Sequence, residues 1–256
     1  MSDILRVTGL QKSFGGLMAV ADVSFSVPRS KIVSIIGPNG AGKSTVFDLL
    51  TRVQDADAGS IVGDAGDLLN LPAHKIVRHG IARTFQQSQL IETASVRDNV
   101  GIGRLRFRSS RMSSAIFRTP RFRREQERED ARVDDVVKQM GLDPYRDDPI
   151  STTSTLVRQM TSIAMAVASE PQLLLLDEPM GGLVESEVQE LMGVLRKLNA
   201  SGMTIVLIEH RMSAVMSLSD LVLVLNFGRR IAMGTPDEIR RDQSVIDAYL
   251  GTRRAS

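Results

Sequence analysis

"GPNGAGKS", Gly37 to Ser44, decides how the rest of the chain is read. It fits the spacing G-x-x-x-x-G-K-[ST] and stands between two different patterns. Ahead of it runs "KIVSII", a short β-branched stretch suited to a buried central strand. After it runs "STVFDLLTRV", and a helix is expected to start near Gly42. Glycines at 37, 40 and 42 let such a loop turn tightly enough to aim backbone amides inward. The helix N-terminus adds positive potential, which suits phosphate. Lys43 would reach the β- and γ-phosphates, and the Ser44 hydroxyl would bind Mg²⁺. Gly37, Pro38, Asn39, Gly40, Ala41, Gly42, Lys43, Ser44 and Thr45 are therefore the expected nucleotide-binding residues. The plainer reading is a glycine-rich turn that binds nothing. The strand before and the helix after weigh against it.

"LLLLDE" supplies a second half. An apolar strand would deliver Asp177 to its C-terminal end, beside the phosphate loop, where it can hold Mg²⁺ through water. Glu178 is the candidate general base for an attacking water. Three single residues narrow the class further. Gln86 in "IARTFQQ" lies where a side chain could touch both metal and a moving subdomain. His210 ends the strand "TIVLIEH", in place to contact a γ-phosphate. Phe14 in "SFGG" offers a ring to stack on adenine. Each also has a plainer reading: Gln86 as a loop cap, His210 as a solvated strand end, Phe14 as core.

The surrounding pattern is α/β. "ILRVTGL" and "ADVSFSV" alternate and bracket "SFGG", which predicts an antiparallel hairpin. "LLLLD", "TIVLIE" and "LVLVLN" are short apolar runs separated by helical patterns, which argues for a mostly parallel sheet. In "ESEVQELMGVLRKLNA" the residues Val188, Leu191, Met192 and Leu195 share one helical face. Roughly Ser88 to Met160 has no comparable strand. There Val133, Val136, Val137 and Met140 line one helical face, and Gly141 is a plausible stop. "TPDE" reads as a capping box, with Thr235 as N-cap, Pro236 first in the helix and Glu238 third. The expected organisation is a nucleotide-binding α/β core over 1–87 and 161–256, with an N-terminal antiparallel β-subdomain. A helical subdomain would be inserted over 88–160.

Bulk composition is compatible with this and excludes other classes. The chain has 256 residues, 42% hydrophobic and 24% charged, with a net charge of +2. That is enough chain for a substantial core. There are no cysteines, which excludes disulfides and thiolate metal sites. "MSDILRVTGL" lacks the charged and apolar regions of a secretory signal. No apolar run approaches the ~20 residues that span a bilayer, so a peripheral membrane contact is the expected kind.

The series Phe14, "GPNGAGKST", Gln86, "LLLLDEP" and "IEH" resembles the ATP-binding subunits of ABC transporters, a P-loop NTPase family, over essentially the whole chain. "SFGGLMAVADVSF", "GIARTFQ", "FRTPRFRR" and "MGTPDEI…AYLG" look like the branched-chain amino acid importer subfamily. The resemblance implies ATP and Mg²⁺ as cofactors, with Ser44, Gln86 and Asp177 around the metal. Glu178, His210 and Gln86 would be the catalytic residues. It also implies two such subunits meeting head to tail and docking onto membrane-spanning permease subunits. A substrate-binding protein would feed the complex, and the chain would sit on the cytoplasmic, inner face of the cell membrane. An ATP-binding regulatory cassette with little hydrolysis is the alternative.

One stretch departs from that family. Its members normally carry Leu, Ser, Gly or Tyr, Gly, Gln before the helix that leads to "DEP". Here those places are Thr153, Ser154, Thr155, Leu156 and Val157, and only Ser154 survives. Ser154 can still cap the helix. Leu156 is expected to crowd a phosphate that needs close backbone approach. Val184 replaces a usual Asp or Asn, and Arg211 follows His210 where Asp is common. In this family that loop completes the partner's site. Lys43, Ser44, Gln86, Asp177, Glu178 and His210 serve the chain's own ATP, whereas Ser154 serves the partner's. A heterodimer with an intact second subunit is therefore the favoured assembly.

Nine arginines fall between Arg104 and Arg128, interleaved with Phe107, Phe117 and Phe122. Three readings stand: a nucleic-acid surface, a face near anionic lipid headgroups, and a solvated face of the insertion. The resemblance favours the last two, and nucleic acid is not an expected partner.

Overall fold

The computed structural model describes residues 2–64, 66–84, 90–107 and 120–251. Strands β1 (Asp3–Phe14) and β2 (Leu17–Pro28) form the expected hairpin, with Phe14 opposite Leu17 at its turn. With β4 (Ala58–Gly63) and β5 (Gly66–Asp67) they make an antiparallel sheet ordered β2-β1-β4-β5. The second sheet is ordered β10-β9-β3-β8-β7-β6. Its strands are β3 (Ile32–Ile36), β6 (Ile81–Arg83), β7 (Leu173–Asp177), β8 (Thr204–Ile208), β9 (Leu221–Asn226) and β10 (Arg229–Gly234). All its pairings are parallel except β9 with β10.

The helices are α1 (Lys43–Leu50), α2 (Ala73–Ile76), α3 (Val96–Ile102), α4 (Pro120–Gln139), α5 (Thr155–Ala168), α6 (Glu185–Ala200), α7 (Met212–Leu218), α8 (Pro236–Arg241) and α9 (Gln243–Gly251). The periodicities identify their buried faces. Val133 and Val137 of α4 are buried, with Met140 just past its end, and so are Val188, Leu191, Met192 and Leu195 of α6. Gly141 has a φ of +71° just past α4, and the Leu142 N–H returns to Val137 O. At α8 the Thr235 hydroxyl accepts from Glu238 N while the Glu238 carboxylate accepts from Thr235 N, the reciprocal cap that "TPDE" predicts.

Strands β3, β7 and β8 are buried at every position, as parallel strands covered on both faces must be. Successive side chains point to opposite faces. Leu173, Leu175, Val206, Ile208, Val33 and Ile35 therefore join one core with Val46, Phe47 and Leu50 of α1. Leu174, Leu176, Ile205 and Leu207 join a second core with α5 and α6. This parity decides where the site lies. Asp177 continues the Leu173, Leu175 series, so it emerges on the α1 face at the carboxyl end of β7.

Helix α5 packs on α3 and α4 and then leads into β7. It is continuous from Thr155 to Ala168, so the division expected at 160/161 falls inside a helix. The division expected at 87/88 lies outside the described residues.

Candidate nucleotide site

Gly37 to Gly42 turn from β3 into α1. Two of the glycines are required. At Gly37 φ is +153°, and a Cβ there would lie 2.1 Å from Leu225 O. At Gly42 φ is +96°, and a Cβ would lie 2.4 Å from Ala19 O. The loop is thus pressed between β9 and β2. Ala41 N donates to Pro38 O at 3.1 Å, and Gly228 N donates to Ala41 O at 3.1 Å. The Tyr249 hydroxyl of α9 bonds the Gly37 backbone, and burial pushes this phenol up to about 12.

Gly42 is the N-cap of α1 and has no side chain with which to satisfy the first-turn amides. Those amides and the helix dipole form an anion site. Lys43 folds into the loop, where its Nζ donates to Gly37 O at 2.8 Å and Pro38 O at 3.1 Å. Burial holds its ammonium below the ordinary lysine range, while Glu178 and Asp177 oppose that shift. An open cleft of about 560 Å³ runs along this loop. Asn39, Gly40, Ser44 and Thr45 border it, together with Leu17, Met18 and Glu178.

Asp177 is 6% exposed. Its Oδ2 accepts from Arg83 Nη2 at 2.9 Å, whereas its Oδ1 is buried without a hydrogen-bond partner. Burial pushes its carboxyl up against the pull of Arg83. An orphaned buried oxygen on this face fits a water-bridged Mg²⁺. Among the described residues no group of three His, Cys, Asp or Glu could cage a metal.

Glu178 has a φ of +49°, a strained conformation for a side chain of its size. It is held by its N–H to Ile208 O at 3.0 Å and by its C=O, which accepts from Gly181 N at 3.1 Å. His210 Nε2 stands 3.0 Å from Glu178 Oε2. The pairing register Asp177–Ile208 brings the β7 and β8 ends together, so these two residues meet. Gln86 lies outside the described residues. Phe14 is 44% exposed and carries Lys12 Nζ 5.4 Å from its ring centroid. It does not border the cleft, although its hairpin contributes Leu17 and Met18.

Sequence reasoning missed three partners. Arg83 ties Asp177 to Asp48 of α1, donating to Asp48 Oδ1 at 2.6 Å. A charged residue ending an otherwise apolar strand was the available signal. Glu209, buried behind His210, accepts from Met180 N at 2.8 Å and so fixes the loop after Glu178. Phe227, at the tip between β9 and β10, borders the cleft. Its register in a hairpin tip left no sequence signal.

The divergent tract is also corrected. Ser154 is the N-cap of α5 and accepts from Val157 N at 3.3 Å, as expected. Leu156 does not face outward to crowd a phosphate. It is 7% exposed and belongs to the helical core, because it heads the buried stripe Leu156, Met160, Ile163, Val167. Ser154 and Thr155 are the exposed residues at this helix start. Arg211 bonds Leu183 O, and Val184 is exposed at the start of α6.

Of the arginine-rich segment, 108–119 lie outside the described residues. Arg123, Arg124 and Arg128 are exposed. Arg104 is not part of a solvated face. It is buried, with Nε 2.6 Å from Glu129 Oε2, Nη1 2.8 Å from Glu170 Oε1, and its guanidinium 3.9 Å from the Phe107 centroid.

The sequence profile of ABC transporters matches residues 20–181. The chain belongs to the ABC transporter family. Within that family it is one of the ATPase cassettes, and a second profile, of branched-chain amino acid ATP-binding cassette transporters, matches residues 229–255. The cassette is 37% identical to the high-affinity branched-chain amino acid transport ATP-binding protein BraF of Pseudomonas aeruginosa, over 97% of this chain and 98% of that one. It is 38% identical to LivG of Escherichia coli K12, of the same description and coverage. Among solved structures, the ADP conformation of the cassette MJ1267 superposes with a TM-score of 0.85 at 27% identity, over 98% of this chain and 100% of that one. A nucleotide-free cassette from an ABC transporter gives a TM-score of 0.84 at 27% identity, covering 97% of this chain and 99% of that one. The expected α/β cassette fold is therefore borne out. No helix among the described residues is long and apolar enough to cross a membrane.

Proposed function

We propose that this cassette binds and hydrolyses ATP to drive an importer of branched-chain or similar amino acids. The observation that carries the reading is the convergence at the carboxyl ends of the parallel strands of Lys43, the uncapped α1 terminus, Asp177 with its orphaned Oδ1, and the Glu178–His210 pair. The α1 amides and Lys43 hold the β- and γ-phosphates. Ser44, Asp177 and Gln86 would hold Mg²⁺, which would neutralise charge on those phosphates. Glu178 takes a proton from the water that attacks the γ-phosphorus, and the bond from that phosphorus to the β–γ bridging oxygen breaks, giving ADP and inorganic phosphate. His210 orients Glu178 and contacts the γ-phosphate.

The transported class rests on the likeness to BraF and LivG. Partners of the cassette are then permease subunits at the cytoplasmic face of the membrane, supplied by a substrate-binding protein, and a second ATP-binding subunit. The second subunit is a different chain with an intact loop. Ser154 keeps the α5 cap, but Thr155, Leu156 and Val157 offer no glycine for close approach to a partner's phosphate. Lys43 and Glu178 act on the nucleotide this chain itself binds, which the partner's intact loop completes, so one competent site remains.

ATPase turnover of the purified chain alone, against turnover with its partner, tests the asymmetry. Turnover should rise at least tenfold on pairing. Equal turnover in isolation overturns the heterodimer. Glu178→Gln should abolish transport in the assembled complex. Unchanged transport favours a regulatory cassette that binds ATP without hydrolysing it.

A further inference from the structure

His210 is flanked in sequence by two side chains that both reach the loop after Glu178. On one side the Glu209 carboxylate accepts from Met180 N at 2.8 Å and from His210 N at 3.2 Å. On the other side Arg211 Nη2 donates to Leu183 O, with Nη1 3.9 Å from Glu185 Oε2. Met180 and Leu183 are buried in the core beneath α5 and α6. The end of β8 therefore grips this loop near its start and again near its exit, and His210 lies between the two grips.

The loop needs such grips. Glu178 opens it at a φ of +49°, and Gly182 turns it again at +74°. A glutamate in that conformation persists only where its surroundings over-determine it. Ties within the loop are weak: Gly181 N donates to Glu178 O at 3.1 Å, and Leu183 N reaches Met180 O at 3.4 Å. At the exit, Glu187 ties Val184 N to α6, whereas Arg211 ties Leu183 O to the strand end that carries His210. An aspartate in place of Arg211 would have no proton to give a carbonyl, so this tie depends on the arginine.

We propose that Arg211 is a positioning residue for hydrolysis, strapping the exit of the Glu178 loop to β8 so that Glu178 and His210 stay in reach of one another. The pair stands at 3.0 Å, from Glu178 Oε2 to His210 Nε2. Without the strap the loop can relax toward an unstrained φ at Glu178, which draws the carboxylate away from its place beside the histidine. Nucleotide binding is left in place, because the phosphate loop is held separately, between β9 and β2. The inference rests on the reading of Glu178 and His210 as hydrolytic groups.

The test is steady-state ATPase of the cassette assembled with its partner subunits, alongside calorimetric titration of the full chain with ATP. Arg211→Met keeps an apolar stem but cannot donate. It should lower kcat roughly tenfold and leave KM and ATP affinity within about twofold of the parent. Arg211→Lys, which still offers a donor to Leu183 O, should regain part of that loss. Glu185→Gln removes the longer ion pair and keeps the strap, so its kcat should match the parent. An Arg211→Met kcat within about twofold of the parent overturns the inference. So does a fall in ATP affinity as large as the fall in kcat, which is the mark of a general loss of structure. A loss that Arg211→Lys does not relieve overturns it too, as does an equal loss in Glu185→Gln, which would assign the effect to charge. If the parent assembly binds ATP without turnover, the hydrolysis reading falls and takes this inference with it.

Discussion

Arg83 Nη2 donates to Asp177 Oδ2 at 2.9 Å, joining the ends of two neighbouring strands on one face of the parallel sheet. Arg83 pairs with Leu175 across the ladder, and Asp177 is two residues further along, so both side chains share the α1 face. Through Nη1 the same guanidinium reaches Asp48, and it lies 5.5 Å from the Phe47 centroid. One buried arginine thus fixes which oxygen of Asp177 is left for other partners.

Arg83→Met should cost about 3–5 kcal/mol, because it strands two carboxylates, one of them buried. Urea unfolding measures this. Arg83→Lys should not restore the loss, since an ammonium cannot span Asp48 and Asp177 as a fork does.

Glu209 is pushed up from its ordinary value of 4.5, chiefly by burial. Between that value and the raised one the folded state holds the extra proton. Stability therefore falls as pH rises through this window. Burial raises Asp177 in the same sense. Unfolding free energy followed from acid to neutral pH should fall less steeply in Glu209→Gln than in the parent. Equal slopes would remove Glu209 as a source of the pH dependence.

Val184 is the N-cap of α6 and has no side-chain acceptor, while Glu187 Oε2 still accepts from Val184 N at 3.0 Å. Val184→Asp should complete the reciprocal cap and add ~1 kcal/mol. A thermal melt of the full chain checks it.

Arg104 is buried between Glu129 and Glu170. Arg104→Met should destabilise by about 3–5 kcal/mol, since Glu129 is left buried without its cation. Adding Glu129→Gln should recover part of this in urea unfolding, and a further additive loss would argue against the ion pair as the cause.

Gly37→Ala should cost about 1–3 kcal/mol in backbone strain, before any effect on nucleotide. The clash with Leu225 O leaves no room for relaxation without moving β9. Gly40→Ala, where a Cβ would meet nothing within 4 Å, should be milder in the same melt.

What the sequence disclosed follows from how local each determinant is. The phosphate loop, the β7 end and the "TPDE" cap are short runs whose residues act on neighbours, so they were legible. The inward turn of Leu156 was not. Its direction is set by a stripe that continues through Met160 and Ile163, and comparison with a glycine at that place suggested the opposite. Arg104 was read with the arginines around it, yet its partners Glu129 and Glu170 lie 25 and 66 residues away. Arg83 was visible only as a charge in an apolar strand, because its meaning depends on a strand 94 residues later. Phe227 comes to lie beside the cleft only once β9 has joined β3.

Strand β3 lies between β8 and β9, and both of its neighbours are made more than 160 residues after it. At ribosomal rates of ~5–20 residues per second the apolar run "IVSII" therefore waits on the order of 10 to 30 s with both edges open. During that interval it is a β-branched segment without a ladder, the kind that chaperones shield and that aggregates when overproduced. The strand that carries the phosphate loop is the first of the parallel sheet to be synthesised and must wait for two of the last to be paired.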